Sequence, residues 1–115
     1  MGGKSGKSVE SPQNPNGKKI DLLIEICGSW GFSGKKYDCM TLIKKLANEG
    51  YEVSYHIEPL NTMEGGEFDI FKIEGGKKRI VFSNSKKQQG IAVVAYSLSD
   101  KLMPDVIKKI TEVTE

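Results

Sequence analysis

A chain of 115 residues, 37% apolar and 28% charged, is long enough for one compact domain, too short for two, and too apolar for wholesale disorder. Two cysteines and one histidine exclude a disulfide scaffold and leave little room for a His-rich metal site or a Ser-His-Asp centre, so neither a metal nor a bound organic cofactor is expected. The net charge of +2 is concentrated in the first 19 residues, and the near-neutral remainder lacks the dense positive field that a nucleic acid partner demands.

Residues 1–19 are rich in Gly, Ser, Pro, Asn and Lys. Such a stretch buries too little apolar surface to offset its chain entropy, so it is read as a flexible basic tail, with the domain proper at residues 20–115. The N-terminus shows no apolar signal-peptide core, and no apolar run approaches the roughly 20 residues of a membrane span; a cytoplasmic protein is expected.

The domain opens with Ile20–Ile26, an Ile- and Leu-rich run that fits a buried central strand ending at Cys27. Residues 35–49 change period. Cys39, Leu42, Ile43, Leu46 and Ala47 recur at spacings of three and four, which predicts an amphipathic helix, with Gly50 as its C′ residue. Residues 51–57 alternate as a half-buried strand, and 58–66 read as a loop. Two further strands, 67–73 and 78–83, flank Gly75-Gly76, a hairpin turn signal. Residues 84–90 form a polar loop. The apolar residues 91–96 fit a loop pinned to the core or a short extra strand. Leu102, Val106, Ile110 and Val113 predict a last helix over 101–113, with Pro104 in its first turn. The order β-α-β-β-β-α implies an α+β domain: one mixed four-stranded sheet with both helices on one face.

One junction carries the chemistry. Cys27 closes a parallel strand and is followed by Gly28-Ser29-Trp30-Gly31 and then a helix. A thiol there is expected at the exposed end of the sheet. The helix dipole, open N–H groups and the nearby Lys35 and Lys36 would lower its pKa and populate the thiolate.

The element order and this placement resemble the thioredoxin-like fold. More narrowly, Ile26-Cys27-Gly28-Ser29-Trp30-Gly31-Phe32 resembles the Cys-Gly-x-(Sec or Cys)-Gly-(aromatic) motif of the Rdx family of selenoprotein W-like proteins. Tyr37, Leu42 and Lys44-Lys45-Leu46 resemble that family's first helix. Gly66-Glu67-Phe68-Asp69-Ile70, Gly76-Lys77, Val81 and Ser83-Asn84-Ser85-Lys86 resemble its hairpin and following strand. The likeness spans about residues 20–86. It implies a thiol oxidoreductase or redox adaptor that forms mixed disulfides with glutathione or a partner protein through Cys27. Gly28, Ser29, Gly31 and Phe32 would contact that thiol partner, and glutathione would act as co-substrate rather than bound cofactor.

The family's second redox position falls on Trp30, whose indole forms no disulfide. Trp30 is therefore either a selenocysteine codon read as tryptophan or a genuine loss of the resolving group. With a genuine tryptophan the scheme is monothiol, resolved by external glutathione. The rival expectation is a redox-inactive protein-interaction module. Cys39 lies on the apolar helix stripe and is expected to pack in the core. His56, outward on its strand, is expected to be solvated.

Gly2–Ser8 falls one residue short of the Gly-x4-Gly-Lys-Ser phosphate loop and follows no strand. The same residues approach the myristoylation pattern Met-Gly-x-x-x-(Ser/Thr), with Gly6 at the hydroxyl position. That makes Gly2 a lipidation candidate, with Lys4 and Lys7 favouring contact with an anionic membrane surface.

Overall fold

Side-chain burial alternates along Lys18–Cys27: Ile20, Leu22, Ile24 and Ile26 are buried, while Asp21, Leu23 and Glu25 are not. That two-residue period defines a strand with one face on a core. The computed structural model describes residues 7–9, 18–27, 31–60 and 66–112. In chain order they form β1 (Lys7–Val9), β2 (Lys18–Cys27), α1 (Phe32–Asn48), β3 (Tyr51–Leu60), β4 (Phe68–Glu74), β5 (Lys77–Ser83), a 3-10 turn (Lys86–Gln88), β6 (Val93–Val94) and α2 (Met103–Thr111).

The architecture is α+β, with one mixed sheet and two helices, and it is compatible with a thioredoxin-like fold. Strand order is β1-β3-β2-β4-β5-β6. β2 and β3 run parallel from Lys18 opposite Tyr51 to Cys27 opposite Leu60, joined by α1. β4 lies antiparallel to β2 and to β5. The four expected strands make the centre of the sheet. Two short edges extend it: β6 pairs parallel with Phe82–Ser83, and β1 pairs antiparallel with Val53–Tyr55.

Within residues 1–19 the structure shows two pieces of sheet. Lys7–Val9 joins the sheet, and β2 already begins at Lys18, because the ladder to Tyr51 and Glu52 supplies backbone partners that side-chain polarity does not reveal. Residues 1–6 and 10–17, with Gly2 and its lipidation pattern, lie outside the described residues. β3 also runs further than expected, through Pro59 to Leu60. Proline, having no N–H to offer, is tolerated close to the end of such a strand.

Both helices pack on the face carrying Ile20, Leu22, Ile24 and Ile26. Cys39, Leu42, Ile43 and Leu46 of α1 and Met103, Val106 and Ile110 of α2 meet Val53, Phe68, Ile70 and Val81 in one apolar cluster. Each such Leu or Ile contributes about 1.5–3 kcal/mol relative to an exposed position. α2 is shorter than expected, starting at Met103 with Pro104 in its first turn. Met103 takes the buried place expected of Leu102, which caps the helix instead. Val113 lies outside the described residues. A register shift between Ile70 and Phe71 leaves Val81 as an extra residue on β5, so Val81, Phe82 and Ser83 are all buried in succession.

The β4–β5 turn is the one expected. Gly75 and Gly76 have φ of +58° and +81°, the positive pair that a two-residue type I′ hairpin requires. A Cβ on Gly76 would meet nothing within 4 Å, so substitution acts through the backbone alone. Gly76→Ala is expected to lower stability by about 1 kcal/mol. Urea denaturation checks this; an unchanged midpoint would mean the turn adopts another geometry at no cost.

Candidate functional site

Cys27 is the last residue of β2, and Gly31 and α1 follow after three residues. Gly31 has φ +68° and turns the chain into the helix without a side-chain cap; its carbonyl accepts the Lys35 N–H at 3.0 Å. Phe32, expected just before the predicted helix, is already the first residue of α1 and packs, partly buried, against the core. The left-handed Gly31 ends the loop and brings Phe32 into the first helical turn. Gly28, Ser29 and Trp30 lie outside the described residues.

The Cys27 residue is 1% exposed, which corrects the expectation of a thiol open at the sheet end. Strand alternation groups it with Asp21, Leu23 and Glu25, on the face away from the helices. Its backbone N–H donates to the Glu67 carbonyl at 2.8 Å, continuing the β2–β4 ladder one step past Ile26 and Phe68.

Carboxylates crowd this end of the sheet. Glu58 and Asp69 lie opposite Glu25 in the two neighbouring strands. Burial holds the Asp69 carboxyl above its ordinary range, against a lowering hydrogen bond from Ser83, and the charges of Glu25 and Glu67 push it further up. The Ser83 hydroxyl reaches Asp69 Oδ1 at 2.5 Å. On the helix side Lys35 is partly buried and Lys36 is exposed.

A cavity of about 230 Å³ lies where the start of α1 meets the start of β4 and the end of β5. Gly31, Lys35, Asp38, Phe68, Asn84 and Tyr96 are among its walls. Tyr96 is 93% exposed, and Asp38 is raised by burial and by Asp100. The walls thus combine a cation, an acid, a side-chain amide and two aromatic rings, a mixture suited to a small polar ligand or a peptide segment. Asp38, Asn84 and Tyr96 were not marked as site residues by the sequence. The polar Asn84 directly after an apolar strand is the one local hint of such a role.

The two cysteines are both thiols. Cys39 sits in the core as expected, fully buried among α1 and sheet residues. Burial pushes its thiol far above the ordinary range, and the neighbouring Asp38 charge adds to this. It is not a nucleophile in the folded protein. His56 is partly exposed and its Nε2 lies 2.8 Å from Glu58 Oε1. Among the described residues no helix is long and apolar enough to cross a membrane. Comparison with protein-family models, with curated proteins and with solved structures finds no match.

Proposed function

We propose that this chain is a selenoprotein W-like thiol redox protein of the Rdx family, which forms mixed disulfides through Cys27. The supporting observation is the position of that residue. It closes the central parallel strand, with four residues between it and Phe32, where α1 begins, and the second thiol, Cys39, is locked in the core.

The chemistry is a thiol–disulfide exchange. Cys27 loses its proton to solvent, and the sulfur attacks one sulfur of glutathione disulfide or of a partner protein's disulfide. A new S–S bond forms, the old one breaks, and the other sulfur leaves as a thiolate. A second external thiol, glutathione, then attacks the mixed disulfide and restores Cys27. Trp30 takes no part in bond exchange. Because Cys27 is 1% exposed, attack follows an opening that bares the sulfur, and the exchange is correspondingly slow.

That burial also favours a second reading, a redox-inactive interaction module in which Cys27 is a packing residue and the exposed Tyr96 and Tyr37 contact a partner protein. One experiment separates the two. The full chain is incubated with oxidised glutathione under native conditions and analysed by mass spectrometry. A single glutathione adduct is expected, mapped to Cys27, lost in Cys27→Ser and kept in Cys39→Ala. A protein that stays unmodified until denaturant is added supports the interaction module. A Cys27–Cys39 bridge overturns the monothiol scheme.

A further inference from the structure

The segment that carries the Cys27 anchor is itself held by one side chain. Glu67, whose carbonyl accepts the Cys27 N–H at 2.8 Å, lies just before β4 begins, between Gly66 and Phe68. Asn84 grips both of these neighbours. Its side-chain Nδ2 donates to the Gly66 carbonyl, and its Oδ1 accepts the Phe68 N–H at 3.1 Å. Its own backbone N–H donates to the Phe68 carbonyl at 3.0 Å. The amide thus behaves as a short piece of strand, matching one donor and one acceptor of the facing backbone.

The residues flanking Asn84 have side-chain bonds of their own. Ser83, the one fully buried polar residue among those described, donates to Asp69 Oδ1, and its hydroxyl accepts the Ser85 N–H at 3.0 Å. Ser85 then caps the 3-10 turn by accepting the Lys87 N–H. Asn84 also lines the cavity that Gly31 and Phe68 share.

We infer that Asn84 is a positioning residue for Cys27: it fixes Gly66–Phe68 so that the Glu67 carbonyl meets the Cys27 amide and sets the place of the thiol-bearing residue. As a statement about reactivity this rests on the redox function proposed above. Asn84 touches no reacting atom. Its effect passes through two backbone segments, and that is what the sequence could not display.

The test uses the full chain as wild type, Asn84→Ala, Asn84→Asp and Ser85→Ala. Amide hydrogen exchange is read at Cys27 against Ile24, which lies in the same strand and away from Glu67. Iodoacetamide labelling across pH is read at Cys27 against Cys39, whose labelling reports general opening of the core. Asn84→Ala is expected to speed exchange at Cys27 about tenfold relative to Ile24, the size of one lost net hydrogen bond. It should also change the pH profile of Cys27 labelling with the Cys39 rate unmoved. Asn84→Asp keeps the acceptor for Phe68 and loses the donor to Gly66, so it should show the same direction; being isosteric, it provides the comparison if the alanine variant fails to fold. Ser85→Ala should move neither ratio. Equal acceleration at Cys27 and Ile24, or an unchanged Cys27-to-Cys39 labelling ratio, overturns the inference. Absence of a glutathione adduct on wild type sinks the redox proposal instead, and the amide ratio still decides whether Asn84 positions Cys27.

Discussion

Phe68→Ala is expected to cost about 3–5 kcal/mol of folding stability. The ring is fully buried at the start of β4 and meets Phe82 edge-on, with centroids 5.1 Å apart and planes at 61°. Truncation removes a large apolar area and an aromatic contact, and leaves a void between sheet and helices that the close-packed surroundings fill only in part. The loss is a large share of the roughly 5–15 kcal/mol that holds a domain of this size together. Urea denaturation measures it directly. Phe71→Ala is the matched control. That ring lies on the opposite face, partly exposed, beneath the Lys78 ammonium at 4.6 Å from its centroid, so its removal should cost no more than about 1.5 kcal/mol. Comparable losses for the two variants would contradict the assignment of a single core on the helix side.

Arg79→Ala is expected to cost about 2 kcal/mol at neutral pH and to alter the acid limb of the stability curve. The guanidinium donates to both oxygens of Glu74, at 3.0 and 3.1 Å, and to the Lys109 carbonyl near the end of α2 at 3.0 Å. It thereby ties the β4–β5 hairpin to the last helix. Hydrogen bonding from Arg79 holds the Glu74 carboxyl at about 2, below its ordinary 4.5, with burial opposing and Lys72 assisting. A carboxylate whose folded pKa is depressed stabilises the protein fully above its unfolded value, and that share is lost as pH falls through the folded one. Wild type should therefore lose this contribution between about pH 4.5 and pH 2. In Arg79→Ala the slope over that window should be shallower, and in Glu74→Gln this contribution should be missing altogether. Thermal melts from pH 7 to pH 2 provide the comparison; identical acid slopes in all three proteins would show that the pair does not bear on stability.

The features legible in the sequence are those set by local pattern. The Ile-Leu run of β2, the three-and-four spacing of α1 and the Gly75-Gly76 turn each state their geometry within a few residues. The edges were not legible in the same way. Lys7–Val9 is polar in composition and becomes a strand only through its ladder with β3, a partner more than 40 residues away in sequence. The extra residue at Val81 is a matter of register between two strands, which alternation within either one cannot reveal. Phe32 begins α1 without a capping side chain at Gly31, so the usual Ser, Thr, Asp or Asn signal for a helix start was missing.

The candidate site divides along the same line. That Cys27 ends a strand just before a helix could be read from period and glycine content. That its residue is 1% exposed depends on what packs over it, which no spacing specifies. The grip of Asn84 on Gly66 and Phe68 spans 16 to 18 positions and joins two strand ends that only the hairpin brings together. The core role of Cys39, by contrast, follows from the helical stripe on which it sits.

Pro59 bears on how the molecule behaves when crowded. Bare amides along the edge of a sheet invite another chain to add itself and then another, the route by which domains grow into filaments. Pro59, one residue before β3 ends, has no N–H to offer such a chain, and Glu58 adds a charge beside it. The domain thus carries a brake on self-templated assembly close to the end of its second parallel strand.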